Sequence, residues 1–174
     1  MMNTNFLLVL FSSLILSVGC NSAQQNDTTT ALEEMQPEKK QVAAAPENGE
    51  VAKLTRAEFL ANIMDYEKNP DTWVYKGDKP SLIDFYADWC APCRITSPII
   101  DELASEYGDQ VNFYKVDTDK EQELARVFGI RGIPSFLYIP AEGQPTMTSG
   151  IAQTPEETKQ MFKDQIEKYL LADQ

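Results

Sequence analysis

Residues 84–94 read DFYADWCAPCR, in which Cys90 and Cys93 follow a short run rich in apolar residues. That run, LIDFYA at residues 82–87, predicts a buried strand, and from Ala91 onward apolar residues recur at helical spacing. Cys90 is therefore expected where a strand becomes a helix. The spacing of the two cysteines leaves three interpretations open: a reactive dithiol, half of a metal site, or a structural disulfide.

The composition argues against the metal site. The chain contains no histidine, which excludes Cys-His nucleophiles, Ser-His-Asp triads and histidine-ligated metals. It contains three cysteines, too few for four thiolate ligands to zinc within one chain. We therefore expect no metal and no other cofactor, and the redox-active group would be the pair Cys90 and Cys93.

The charge is strongly acidic, with 27 Asp and Glu against 15 Lys and Arg and a formal net charge of −12. The longest basic run is Lys39-Lys40. Binding to a phosphate backbone depends on clustered basic side chains, so we expect no nucleic-acid partner. We interpret the acidity as a source of solubility.

The front of the chain resembles an export signal. Residues 6–18 carry no charge, and thirteen residues are too few for a helix that crosses a bilayer, which needs about 20. That length suits the apolar region of a secretory signal. Residues 16–20, LSVGC, resemble the lipobox of bacterial lipoproteins, in which the chain is cut before a cysteine that carries the lipid. We predict a lipoprotein-type signal peptide over residues 1–19 and lipidation of Cys20; the alternative is an ordinary signal or an uncleaved anchor.

Residues 20–50 are predicted to form a lipid-anchored flexible linker. After the cysteine they contain no aromatic residue and are rich in Gln, Asn, Thr, Ala and Glu, a composition that buries too little apolar surface to order a chain. Lipidation would use the odd cysteine and leave Cys90 and Cys93 as the only pair. The expected location is the bacterial cell envelope, in the periplasm, with the lipid anchored in the membrane and no span across it.

Residues 51–174 are predicted to form one α/β domain. A capping box at Thr55 begins a first helix, which Asn69-Pro70 is expected to end. Asp119 is the expected N-cap of a short helix, and a capping box at Thr154 begins the last one. Three further strands are predicted at residues 111–117 (VNFYKVD), 135–139 (SFLYI) and 145–149 (PTMTS). The last two are predicted to form a hairpin. The order of elements implies a central mixed β-sheet flanked by helices on both faces.

The motif WCAPC after LIDFYAD resembles the active site of thioredoxins, a family of thiol–disulfide oxidoreductases. The resemblance extends over residues 54–170 and implies the thioredoxin fold. Asp84 matches the buried acid that thioredoxins place beneath the resolving cysteine, and Lys115 matches the lysine that accompanies that acid. Pro134, in GIRGIPS, matches a proline that is cis and faces the dithiol.

Physical roles follow for these residues. The start of a helix favours a thiolate at Cys90, which would attack a disulfide, and Cys93 one turn further on would resolve the mixed disulfide. Asp84 is expected to accept a proton from Cys93, because burial raises the pKa of a carboxyl group. The alternative for Asp84 is a structural ion pair with Lys115.

A partner chain is expected to bind around the dithiol. The backbone of Ile133 would pair with an extended substrate, and Trp89 is the strongest candidate for an exposed contact. The expected substrate-binding residues are Trp89, Ala91, Pro92, Ile133, Pro134, Gly150 and Ile151. Three residues depart from the usual thioredoxin pattern: Tyr86 stands for Trp, Ala91 for Gly and Arg94 for Lys.

The sequence therefore predicts a membrane-tethered, extracytoplasmic protein-disulfide reductase that works as a monomer. Strong oxidants of the superfamily carry a histidine between the cysteines, which stabilises the reduced form, whereas this chain has Ala91-Pro92. Its partners would be disulfide-containing client proteins and a membrane electron donor that keeps the dithiol reduced in an oxidising compartment. The alternatives are a dedicated reductase for cytochrome c maturation and a non-catalytic binding module with a structural disulfide.

Overall fold

The computed structural model describes residue 46 and residues 49–172. The strands in this part of the chain are β1 (Val51–Lys53), β2 (Ser81–Tyr86), β3 (Asn112–Asp117), β4 (Ser135–Ile139) and β5 (Thr146–Ser149). The helices are α1 (Arg56–Asn62), α2 (Ala91–Tyr107), α3 (Gln122–Val127) and α4 (Pro155–Ile166), and a π-helical turn, Glu167–Leu171, continues α4.

The five strands form one mixed sheet in the order β1-β3-β2-β4-β5. β3 runs parallel to both β1 and β2, whereas β4 is antiparallel to both β2 and β5. Strand β2 is therefore central, which agrees with its almost continuous apolar sequence. The predicted hairpin of β4 and β5 is confirmed.

Helices cover both faces of the sheet. Phe136 and Tyr138 of β4 pack with Leu103 of α2 and Phe162 of α4 on one face. On the other face, side chains of β2 pack with Phe59 of α1 and Leu124 of α3. Since successive residues of a strand point to opposite faces, Leu82 and Asp84 lie on the side of α2, and Ile83 and Phe85 on the other. The predicted central mixed sheet with helices on both faces is confirmed.

Two helix starts follow from local sequence. The side chain of Thr55 accepts the N–H of Glu58, and the Glu58 carboxylate accepts the N–H of Thr55. Thr154 and Glu157 make the same reciprocal pair at the start of α4. Each pair satisfies two N–H groups that a helix start leaves without a backbone partner. Both predicted capping boxes are confirmed.

Two other expectations fail, and one strand was not predicted at all. Helix α1 ends at Asn62, well before Asn69-Pro70, although Tyr66 still packs on Phe59 with ring centroids 6.1 Å apart. The N-cap of α3 is Glu121 and makes no side-chain cap, so Asp119 is not the cap. Strand β1, missing from the sequence interpretation, has three residues and is defined by its pairing with β3.

The predicted signal peptide and Cys20 lie outside the described residues, as does nearly all of the predicted linker. Among the described residues, no helix has both the length and the apolar character needed to cross a bilayer.

Phe162→Ala tests the core on the side of α2 and α4. Phe162 is fully buried, and its ring meets that of Phe136 edge-on at a centroid distance of 4.7 Å. Removing the ring leaves a cavity, so we expect a loss of about 3–5 kcal/mol in the free energy of unfolding, measured by urea denaturation. Val127→Ala is the control, because Val127 is 47% exposed, and should cost less than about 1 kcal/mol. Similar losses for both variants would contradict this account of the core.

Candidate active site

The first cysteine of the motif begins helix α2. Cys90 is the N-cap residue, and its Sγ accepts the backbone N–H of Cys93 at 3.2 Å. The N–H of Cys90 donates to the carbonyl of Ala87 at 3.1 Å, which closes the turn between β2 and α2. A sulfur in this position meets both a hydrogen-bond donor and the positive end of the helix dipole, and both favour negative charge on it.

The two cysteines are joined by a disulfide bond, with their Cα atoms 5.2 Å apart. Each residue is only 3% exposed, and together with Ala87 they form a small buried cluster. Tyr86 and Ile133 pack against this cluster. Among the described residues, no group of three or more Cys, Asp or Glu side chains is arranged to hold a metal ion.

The structure brings part of the expected client-binding surface together beside the disulfide. The peptide bond between Ile133 and Pro134 is cis, as the resemblance implied. The carbonyl of Pro134 accepts the N–H of Gly150 at 3.1 Å, so the segment before β4 and the segment after β5 lie side by side. Gly150 has φ +85°, a backbone conformation that favours glycine, and Ile151 follows it half-buried.

Trp89 is held in place by a contact that the sequence did not predict. The residue is 67% exposed, and its indole N–H donates to Oδ2 of Asp119 at 2.9 Å. Asp119 follows β3, and Tyr86 of β2 lies opposite Asp117 of β3. Trp89 follows β2 and Asp119 follows β3, and the carboxyl ends of parallel strands meet at the same edge of a sheet. From the sequence, two predicted parallel strands are the one signal that could have placed Trp89 near Asp119. Next to Trp89 in the motif, Ala91 is exposed and Pro92 is half-buried.

Asp84 and Lys115 are opposite each other on β2 and β3. Asp84 is 2% exposed, and its Oδ1 atom has no hydrogen-bond partner within the described residues. Burial raises the pKa of Asp84 from 3.8 to about 7; the charge of Lys115 opposes this rise and that of Asp101 adds to it. No salt bridge joins Asp84 and Lys115 in the part of the chain that is described, although the two residues are cross-strand neighbours and the charge of Lys115 acts on the carboxyl.

Comparisons with known proteins point to one family. The Thioredoxin family model matches residues 50–168. The thioredoxin of Borreliella burgdorferi is 44% identical over 100 residues, which cover 58% of this chain and 85% of that protein. A chloroplastic M-type thioredoxin of Pisum sativum is 38% identical over 105 residues, which cover 59% of this chain and 58% of that protein. The solved structure of an N21Q mutant thioredoxin from Halobacterium salinarum NRC-1 matches with a TM-score of 0.52 at 26% identity, over 72% of this chain and 96% of that one.

The sheet topology and the cysteine pair at the start of α2 define a thiol–disulfide oxidoreductase. The family model covers more than half of the chain, and the chain therefore belongs to the thioredoxin family. The thioredoxins it resembles are disulfide reductases, and its two cysteines lie at bonding distance, as that activity requires. The predicted enzyme class, a protein-disulfide reductase, is confirmed.

Asp84→Asn tests the buried carboxyl through the pH dependence of stability. Between pH 4 and pH 7 the unfolded chain has this carboxyl ionised, whereas the folded protein keeps it protonated. The folded state thus binds the extra proton, and stability falls as pH rises, by roughly 4 kcal/mol over this range. The variant lacks the titrating group, so its free energy of unfolding should rise relative to the wild type from pH 4 to pH 7 and then level off.

Urea denaturation of the oxidised proteins at several pH values measures this difference. Lys115→Met provides a second comparison, because the charge of Lys115 lowers the pKa of Asp84. Without that charge the pKa of Asp84 should rise further, so the fall in stability with pH should continue to a higher pH than in the wild type. Parallel stability curves for the wild type and Asp84→Asn would show that Asp84 is not a carboxyl with a raised pKa.

Proposed function

We propose that the protein is a membrane-anchored, extracytoplasmic reductase of protein disulfides, with Cys90 as nucleophile and Cys93 as resolving cysteine. The observation that carries the chemistry is the hydrogen bond from the Cys93 N–H to Cys90 Sγ at 3.2 Å. In the reduced protein the same donor would stabilise a Cys90 thiolate, together with the start of α2. Only the thiolate attacks a disulfide, so this position suits Cys90 to the first step.

In that first step the Cys90 thiolate attacks one sulfur of a client disulfide. A new bond forms between Cys90 and that sulfur, and the second client sulfur leaves as a thiolate and takes up a proton. In the second step Cys93 loses its proton and attacks the sulfur of Cys90. The reduced client leaves, the Cys90–Cys93 disulfide forms, and two electrons have passed to the client.

We assign Asp84 as the group that takes the proton of Cys93. It lies on the face of the sheet that α2 covers, and burial raises its pKa to about 7, so it exchanges protons near neutral pH. The charge of Lys115, on the neighbouring strand, favours the ionised form of Asp84 and thereby keeps an acceptor available.

We assign client binding to the surface beside the disulfide. Ile133 packs against the cysteine cluster. The backbone hydrogen bond from the Gly150 N–H to the Pro134 carbonyl holds the segment after β5 beside it. An extended client segment that pairs with the backbone of Ile133 would bring its disulfide to Cys90. Trp89, fixed by Asp119, would cover one side of that segment, and Ala91, Pro92 and Ile151 would complete the apolar rim.

The proposed direction of electron flow is reduction of the client. No histidine occurs anywhere in the chain, so no imidazolium stabilises the reduced form between the cysteines. The proposed location rests on residues 16–20, which resemble a lipobox, and on the uncharged run that precedes them. In an oxidising compartment such an enzyme needs a membrane electron donor to restore its dithiol.

Turnover tests the proposed chemistry. The purified protein should speed the reduction of insulin by dithiothreitol, and Cys90→Ser should abolish this rate because the thiolate that attacks the client disulfide is lost. Cys93→Ser should stop turnover and leave client proteins joined to Cys90 in cells, since the mixed disulfide is not resolved. Absence of turnover by the wild type, together with no trapped clients, would favour a binding module with a structural disulfide.

Detergent partitioning tests the proposed anchor. When the full chain is expressed in a bacterium, the wild type should partition into the detergent phase of Triton X-114, and Cys20→Ser should move it to the aqueous phase or leave it uncleaved. Cys93→Ser is the matched control, because it also removes one cysteine and should not alter partitioning. Equal partitioning of the wild type and Cys20→Ser would rule out lipidation of Cys20.

A further inference from the structure

Two serine hydroxyls connect the end of β5 to the loop before β4. Ser135, the first residue of β4, is 2% exposed, and its hydroxyl donates to the backbone carbonyl of Gly132 at 2.7 Å. Ser149 is the last residue of β5, and its hydroxyl oxygen lies 2.8 Å from that of Ser135. The two hydroxyls and the carbonyl therefore form one continuous chain of hydrogen bonds.

The direction of this chain follows from the chemistry of a hydroxyl group. A serine hydroxyl has one proton to donate, and its oxygen can also accept hydrogen bonds. Ser135 gives its proton to Gly132, so Ser149 has to be the donor between the two serines. The buried oxygen of Ser135 thus accepts one hydrogen bond while it donates another, and each bond polarises and strengthens the next.

The pairing of β4 with β5 does not depend on these hydroxyls. Backbone pairing joins the two strands from Ser135 and Ser149 to Tyr138 and Thr146. The loop at residues 132–134 lies outside the sheet. Within the described part of the chain, no atom of a non-adjacent residue lies within 4 Å of the position that a Cβ would take at Gly132. Packing therefore leaves this loop open on that side, and the Ser135 hydroxyl is what holds its carbonyl.

The carbonyl of Gly132 shares a peptide plane with the N–H of Ile133. This peptide bond is trans, so the two groups point in opposite directions and cannot turn independently. When Ser135 holds the carbonyl towards the sheet, it also orients the N–H of Ile133 away from the sheet. Neither the N–H nor the carbonyl of Ile133 makes a hydrogen bond to another described residue. The backbone of Ile133 is therefore oriented by its neighbour and still free to pair with another chain.

We infer that Ser135 and Ser149 are positioning residues that orient the backbone N–H of Ile133 for pairing with an extended client. The inference rests on the proposed function, in which a client pairs with Ile133, and it is independent of the proposed membrane location. The two serines act on the binding of protein clients and not on the reacting sulfurs. A small disulfide has no backbone that could pair with Ile133, so its reduction does not depend on them.

Two substrates of different size separate these roles. The full-length protein, with its dithiol reduced, is mixed with an excess of insulin or of hydroxyethyl disulfide and quenched with N-ethylmaleimide at a series of times. Mass spectrometry of the peptide that contains Cys90 and Cys93 then gives the fraction of enzyme still reduced. Both substrates are thus followed by the same measurement on the same two cysteines.

Ser149→Val and Ser149→Thr form a matched pair at an exposed position. The two new side chains have nearly the same shape, but only threonine carries a hydroxyl. We expect Ser149→Val to react with insulin about three- to tenfold more slowly than the wild type, a factor typical of one lost hydrogen bond, and Ser149→Thr to retain most of the rate. Both variants should react with hydroxyethyl disulfide at the wild-type rate. Thr146→Val makes the same hydroxyl-to-methyl change at the other end of β5 and should alter neither rate.

A double-mutant cycle tests whether the two hydroxyls act as one unit. Ser135→Ala removes the middle of the chain and should slow the reaction with insulin at least as much as Ser149→Val does. Because Ser149 acts only through Ser135, the double variant Ser135→Ala/Ser149→Val should be no slower than Ser135→Ala alone. A double variant slowed by the product of the two single effects would contradict the proposed chain.

The outcomes separate this inference from the proposed function. Wild-type insulin rates in Ser149→Val and Ser135→Ala would overturn the inference even if the wild type is an efficient reductase. Equal slowing with insulin and with hydroxyethyl disulfide would also overturn it, because the change would then lie at the sulfurs. A wild type that reduces hydroxyethyl disulfide but not insulin would reject the proposed reductase, and the inference with it.

Discussion

The active site depends on where helix α2 begins. Because α2 starts directly after Cys90, the sulfur of this residue accepts the N–H of Cys93, and the next turn carries Cys93 into the buried cluster. The start of the helix is set in turn by β2, a buried central strand that pairs with β3 and β4. The same pairing brings the segment after β3 to Trp89 and the segment before β4 to the disulfide. One strand-to-helix junction thus organises residues from three parts of the chain.

The buried carboxyl of Asp84 shows a conflict between stability and reactivity. A carboxyl group without a hydrogen-bond partner at Oδ1, inside an aromatic and aliphatic core, destabilises the folded protein whenever it is ionised. The core offsets this cost through fully buried rings such as Phe136 and Phe162. An apolar residue at position 84 would make a more stable protein, but it could not exchange protons near neutral pH with a cysteine on α2.

Local signals predicted much of the fold, and they failed where the chain is held by distant residues. The capping boxes at Thr55 and Thr154 depend on side chains three positions apart, so a sequence contains all the information they need. Asp119 is equally suited to capping a helix, yet its carboxylate accepts the indole N–H of Trp89, thirty residues earlier. Strand β1 has three residues, too few for a periodic pattern, and exists because β3 offers an edge for it to pair with.

The sequence by itself determined the reacting groups: a Cys-X-X-Cys motif at a strand-to-helix turn, no histidine in the chain, and Asp84 and Pro134 at positions that match the thioredoxin pattern. These are properties of residue type and spacing. Only the tertiary structure decided that Cys90 and Cys93 are equally buried, that Trp89 is fixed by Asp119, and that Cys93 lines a groove between the end of β2 and α2. Burial, long-range hydrogen bonds and empty volume arise from how separate segments pack, and no local pattern encodes them.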